Sequence, residues 1–117
     1  MEDAYDLFTK ARDLMKKSDY LNASFLLEMA KGKEPEKGSI REALAISYFN
    51  MGLYKSAKKN FGKAIEIDAA NDFAHFGMGL CLVKENKMNM AVGHFKIARF
   101  MKPNSPIYNR AVKRYKR

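Results

Sequence analysis

A 34-residue period restricts the fold of this chain more than any other feature. Ala23, Ala57 and Ala91 are spaced by 34, as are Ala30, Ala64 and Ala98. Leu27, Phe61 and Phe95 keep the same step, and so do Ala11, Ala45 and Gly79. Leu14, Tyr48 and Leu82 follow it, then Tyr20, Tyr54 and Met88, while Pro35 and Pro103 lie two periods apart. A fixed step of this length signals supersecondary units too small to bury their own apolar faces, each covered by the next. Small residues recurring in phase are what packed helices require, because axes about 8–10 Å apart leave no room for bulk where backbones cross.

Within each period the pattern gives two helices. They are expected near 3–16, 20–32, 38–50, 54–67, 72–84 and 88–101. Ser18, Gly52 and Asn86 occupy equivalent turn positions, and Gly and Asn tolerate the left-handed conformation that ends a helix, so two of the three suit it. The stretches 31–39 and 102–106 are rich in helix breakers. Asn71 or Asp72 can cap the fifth helix, and Ser105 followed by Pro106 is a good start for a seventh. In that last segment Ile107, Tyr108, Ala111, Val112 and Tyr115 form an apolar stripe. The opposite face carries Arg110, Lys113, Arg114, Lys116 and Arg117.

The in-phase alanines, with a large apolar residue four positions after the first alanine of each second helix, make the chain resemble tetratricopeptide (TPR) repeats. The segments YKSAKKNFGKAIEIDAAN and MNMAVGHFKIARFMKPN look like second helices of that family, and the resemblance spans residues 4–104. It implies an all-α solenoid of three helix-turn-helix pairs in a single domain over 1–117. The repeats would run about 4–37, 38–71 and 72–105, with a seventh, capping helix over 106–117. Lys113 stands where a further repeat would need a small residue, which fits an array that ends there.

The resemblance also implies a concave surface lined by the first helix of each pair. Carried over by register, it places Tyr5, Phe8, Arg12, Met15 and Lys16 there from the first repeat. The second gives Ser39, Glu42, Ile46, Phe49 and Asn50, and the third Phe73, Phe76, Leu80, Val83 and Lys84. The run FAHFGMGLCLV (73–83) supports a buried inner face independently, since a helix apolar on nearly every side should be covered on every side. Intramolecular packing accounts for Met78, Gly79 and Leu82, leaving Phe73, Phe76, Leu80 and Val83 for the groove. Two readings stay open: a partner-binding surface, or rings that fill the hollow among themselves. The proposed binding residues are Tyr5, Phe8, Arg12, Ile46, Phe49, Phe73, Phe76, Leu80 and Lys84. The ligand would be an apolar or amphipathic peptide segment; a second copy of the chain would cover the same surface.

One ligand class of the family is not expected. Members that grip acidic chaperone tails use a two-carboxylate clamp of Lys and Asn in the first repeat, Asn in the second, and Lys and Arg in the third. Those positions here are Phe8, Arg12, Ala43, Phe73 and Gly77. Three-repeat chaperones of bacterial secretion systems resemble the layout, with a hydrophobic groove that guards an apolar client, although they tend to be larger and acidic.

Charge adds a second theme. The net charge is +9, and the excess lies in the last third, where residues 73–117 hold ten Lys and Arg against one acid, Glu85. The basic tail is a solvated cap, a docking face for an acidic protein, or a nucleic-acid contact in which Tyr108 and Tyr115 stack on bases. Catalysis is not expected: no nucleophile, base and orienting group come together, and the GMGL of 77–80 lies within a helix rather than between a strand and a helix. His75 and His94 lack Cys, Asp or Glu at metal-ligand spacing, so neither metal nor cofactor is expected. His75 should serve packing and His94 should be half exposed. Cys81 reads as a small inert hydrophobe. No stretch is long and apolar enough to span a bilayer, and the opening MEDAYDLF lacks the basic start and apolar run of a secretory signal. A lone cysteine suits a reducing compartment, and small free-standing arrays of this type suggest a bacterial cytoplasm.

Overall fold

A computed structural model describes residues 2–116. Over that range the chain forms seven helices and no strand. They are α1 (Ala4–Lys16), α2 (Tyr20–Lys33), α3 (Gly38–Asn50), α4 (Tyr54–Ile67), α5 (Asp72–Lys84), α6 (Met88–Met101) and α7 (Pro106–Tyr115). Asp3, Asp19, Asn71 and Ser105 cap α1, α2, α5 and α7 by accepting a hydrogen bond from the backbone N–H three residues on. Asn71 rather than Asp72 is therefore the cap of α5.

The three intra-pair turns share one design. Asp19, Leu53 and Lys87 donate their backbone N–H to the carbonyls of Leu14, Tyr48 and Leu82 at 2.8, 2.9 and 2.9 Å. Ser18, Gly52 and Asn86 sit inside these closures at φ 60°, 77° and 60°. Ser18 thus adopts the left-handed conformation like its glycine and asparagine counterparts, because the 34-residue register fixes the turn geometry whatever side chain it receives.

Each pair packs α1 on α2, α3 on α4 and α5 on α6, and every second helix then meets the first helix of the next pair. The alanines that recur in phase are fully buried: Ala11, Ala23, Ala30, Ala45, Ala57, Ala64, Ala91 and Ala98 all show no exposed surface. Between them sit Leu27, Phe61 and Phe95, each in a different core cluster. The clusters obey a volume rule. Leu27 shares its cluster with Ala11 and Ala43, two methyl-bearing neighbours. Phe61 sits with Ala45, but its ring presses on Gly77, where a Cβ would lie 2.3 Å from the ring. Phe95 sits with Ala111 and presses on Gly79, where a Cβ would lie 2.4 Å away. The larger ring is thus accommodated by deleting one methyl, on one side or the other.

Polar links stitch the pairs together. Tyr48 of α3 donates to Glu28 of α2, and Asn71 donates to Glu42 of α3 at 3.0 Å. Lys58 of α4 pairs with Glu85 at 2.9 Å, and the Tyr108 hydroxyl of α7 donates to Asp72 of α5 at 2.6 Å. Burial together with the Glu28 carboxylate pushes the Tyr48 phenol up to about 12, so it stays a donor. The first helices also touch one another in series, α1 to α3 and α3 to α5, to an extent that the second helices do not match. The stack therefore bends toward α1, α3 and α5, which become its inner row, and α2, α4 and α6 its outer row. The molecule measures 51 × 25 × 21 Å along its principal axes.

Candidate functional site

The nine groove residues expected from the sequence all lie on the inner-row helices, but they are not equally open. Tyr5 is 68% exposed, while Phe8 is half-buried against the first core cluster with the Arg12 guanidinium 5.7 Å from its ring centre. Ile46 and Phe49 lean on the second cluster, and Phe49 meets Tyr54 edge-on at 5.1 Å. The Lys84 ammonium stands 5.3 Å over the Tyr54 ring, so this cation rests on an aromatic face. Phe73 and Phe76 are 6.0 Å apart, and Phe76 also meets Phe95 at 5.7 Å and Tyr108 at 5.3 Å. Leu80 and Val83 are partly covered by the third cluster.

The two readings left open by the sequence therefore divide along the groove. At the α7 end the rings of Phe73, Phe76, Phe95 and Tyr108 fill space among themselves. At the α1 end a hollow of about 140 Å³ remains between Ala4, Tyr5, Phe8 and Ile40, with Glu34 and Lys37 at its mouth. Phe8 on α1, Ile46 and Phe49 on α3, and Leu80 and Val83 on α5 are each partly buried.

The seventh helix behaves as a cap and as something more. It buries Tyr108, Ala111 and Val112. Ile107, placed by its periodicity on the packed stripe, is instead 53% exposed. It lies one period beyond Phe73, at the groove margin rather than over α6. Arg110, Lys113, Arg114 and Lys116 are exposed, and Arg117 lies outside the described residues. Arg110 and Arg114 stand one period beyond Phe76 and Leu80, so they continue the inner row. Sequence reasoning grouped them with Lys113 as one wet face, whereas the 34-residue register already separated them from it.

Other features were invisible to a local reading. His75 and His94, 19 positions apart, meet with Nδ1 atoms 3.1 Å from each other. His75 Nε2 lies 3.1 Å from the Ala69 carbonyl, which can only accept. His75 therefore carries its hydrogen on Nε2, and His94 donates from Nδ1 to His75 Nδ1. The ring centroids are 5.3 Å apart, about 3.1 Å plus two ring radii, so the nitrogens face each other along one line as in an N–H···N bond. Burial, then the neighbouring imidazole, holds His94 below its ordinary value. No group of three or more metal-ligating side chains occurs among the described residues. Burial, with Glu85 nearby, pushes the Cys81 thiol up to about 11, which disfavours the reactive thiolate.

A depression of about 830 Å³ lies on the outer row around α4. It is shallow and lined by Arg41, Lys55, Lys58, Lys59 and Lys63 with Glu66 and Glu85. Lys58 is paired with Glu85, and Lys63 stands 3.5 Å from Glu36 and 3.6 Å from Glu66, so much of its charge is answered locally. On either side the outer row exposes Phe25 on α2 at 60% and Phe100 on α6 at 87%, which the sequence reading overlooked. Leu21 and Met29 on α2 and Met90 and Ile97 on α6 are exposed as well, so the outer row carries more open apolar surface; the inner row is preferred because its partly open apolar side chains lie beside a hollow.

No helix among the described residues is long and apolar enough to cross a membrane. No family model and no curated protein matches the sequence. Solved structures do match. The first TPR of Spaghetti (RPAP3), bound to an HSP90 peptide, superposes with a TM-score of 0.93 at 16% identity, over 97% of this chain and 90% of that one. The Arabidopsis OM64 TPR domain gives 0.94 at 18% identity, over 97% and 93%. The Yersinia enterocolitica type III secretion chaperone SycD, in complex with a peptide of the translocator YopD, gives 0.83 at 16% identity, over 95% and 85%. These likenesses establish the fold: three TPR-type helix pairs followed by a seventh helix.

Proposed function

We propose that the chain is a non-enzymatic protein-interaction module that receives an apolar or amphipathic peptide segment along α1, α3 and α5. The observation that carries this reading is the set of partly open apolar side chains on the inner-row helices, Phe8, Ile46, Phe49, Leu80 and Val83, with a hollow beside Tyr5 at the α1 end. Full burial of one such side chain is worth about 1.5–3 kcal/mol, and covering the open parts of five supplies a fraction of that from each. That SycD and the first RPAP3 domain were solved with peptides bound supports a peptide ligand for this fold.

The ligand is not a chaperone tail held by its terminal carboxylate. Of the clamp positions, Ala43 is buried, and Gly77 has no room for any side chain against Phe61. Phe8 and Phe73 supply no donor, so Arg12 alone of the five positions could reach a carboxylate, and a terminal carboxylate buried with so few donors is heavily penalised. The single cysteine is in keeping with a reducing, cytoplasmic setting.

The test is affinity capture from the source cell with wild type, Tyr5→Glu, Leu80→Glu and an outer-row control, Phe25→Ser. Phe76→Ala is a poor probe, because Phe76 also supports Phe95 and Tyr108. The reading expects a captured protein that is lost in both inner-row variants and kept in the control, with helical content unchanged in all. Loss only in Phe25→Ser would place the interface on the outer row and end the proposal.

A further inference from the structure

The groove is not merely apolar; it is flanked by cations with nothing to neutralise them. Arg12 and Lys16 stand on α1, Lys84 on α5, and Arg110 and Arg114 on α7 in the continuation of the inner row. All five are exposed, and among the described residues none takes part in an ion pair. The contrast with the outer row is informative: there Lys58 and Lys63 have acidic partners. Glu42 is the one acid among the fifteen positions that the register assigns to the groove, and it accepts a hydrogen bond from Asn71. Three of the five cations rest against aromatic faces, Arg12 on Phe8, Lys84 on Tyr54 and Arg114 on Tyr115, at 5.7, 5.3 and 5.5 Å. Such contacts hold each charged head near a ring without supplying a counter-charge.

From this placement we infer that the groove selects an acidic amphipathic helix, whose apolar stripe lies on the apolar side chains from Phe8 to Leu80 while its flanking carboxylates meet Arg12, Lys16, Lys84, Arg110 and Arg114. The inference rests on the groove reading above and adds the chemistry of the partner. Unpaired cations beside a half-apolar surface impose selection in both directions: acidic flanks gain attraction, and basic flanks suffer like-charge repulsion. The chain terminus of the ligand plays no part, since the cations are spread over α1, α5 and α7 rather than gathered on one helix. The same arrangement gives the basic tail a task that a solvated cap lacks, because Arg110 and Arg114 stand in the register of Phe76 and Leu80 while Lys113 stands in that of Gly79. A nucleic-acid strand is the poorer fit. The groove rings of Phe73 and Phe76 are packed on one another and on Phe95 and Tyr108, so they are not free to stack on bases.

The experiment uses the full chain and two fluorescein-labelled designed helices that share one leucine stripe, with glutamate flanks in one and lysine flanks in the other. Anisotropy is read at about 50 and 500 mM salt, a range over which screening removes most exposed charge attraction. The glutamate-flanked helix should bind at least about tenfold more tightly than the lysine-flanked one at low salt, with the gap closing at high salt. Arg12→Glu and Arg110→Glu/Arg114→Glu should each narrow it, while Lys55→Glu/Lys59→Glu on the outer row leaves it unchanged. Folding of every variant is checked by circular dichroism, and these exposed positions should not disturb it. Equal binding of both helices, abolished by Leu80→Glu, would overturn the charge inference and leave the groove reading standing. Binding of neither would sink the groove reading itself. A single-stranded RNA of matching charge that binds as tightly as the acidic helix, or a preference unmoved by the inner-row variants, would also overturn the inference.

Discussion

Gly79→Ala is the sharpest test of how the stack is held together. In an exposed helix this change adds about 1 kcal/mol of stability, because alanine is the better helix former. Here the new methyl would lie 2.4 Å from the Phe95 ring, with two further ring atoms within 3 Å. Phe95 is fully buried and wedged between Phe76 and Tyr115, each with ring centroids 5.7 Å away, so it cannot swing aside cheaply. Overpacking of this kind costs about 1–3 kcal/mol, and a fixed aromatic neighbour puts the cost near the top of that range. The net expectation is a loss of about 1–2 kcal/mol, or a fall of about 4–8 °C in the thermal midpoint for a chain of this size. Adding Phe95→Leu recreates the arrangement of Ala11, Leu27 and Ala43 in the first cluster and should recover most of the loss. Urea and thermal unfolding followed by circular dichroism on wild type, both single variants and the double would read a favourable coupling of about 1–2 kcal/mol. A Gly79→Ala variant as stable as wild type or more so, or a double variant equal to the sum of its parts, would refute the volume rule.

Two other outcomes follow from local features. Ser18 holds φ 60°, a conformation that costs a non-glycine residue about 1–2 kcal/mol, so Ser18→Gly should raise stability by roughly 0.5–1 kcal/mol after the extra chain entropy of glycine is charged against it; a lower unfolding midpoint would contradict that account of the turn. His94 is held below its unfolded value of 6.5, so the fold binds fewer protons there than the unfolded chain does. Its contribution is fully present above about pH 6.5 and is lost as pH falls toward the folded value. Midpoints measured from pH 7.5 down to 5 should decline in wild type and decline less in His94→Gln, and parallel curves would show that His94 is not responsible.

The architecture was legible because packing rules act at a fixed period. Ala45 and Gly79 are small for the same reason, and aligning the chain on itself exposes that reason without coordinates. Helix ends came out to within a residue or so, since caps such as Ser105 and turns such as Gly52 announce themselves locally. What the sequence did not disclose depends on contacts between pairs. Nothing near His75 in the chain points to His94, and the choice of Gly77 or Gly79 as the yielding neighbour of a phenylalanine emerges only when the rings are placed. Ile107 failed for a related reason: helical periodicity assigns a stripe but not the width of the cover, and Ile107 stays exposed while Tyr108 beside it is buried. Register assigned the groove candidates to α1, α3 and α5. How far each was covered, as with Phe76 under Tyr108, was set by a helix whose role the sequence had described only as a cap.

The most direct measurement is a titration of the glutamate-flanked helix into the isotope-labelled protein, with amide shifts followed by nuclear magnetic resonance. The account predicts that the largest shifts cluster at Phe8, Arg12, Ile46, Phe49, Leu80, Lys84 and Arg114 on the inner row. Saturable shifts confined to Phe25, Lys59 and Ile97 on the outer row would contradict it.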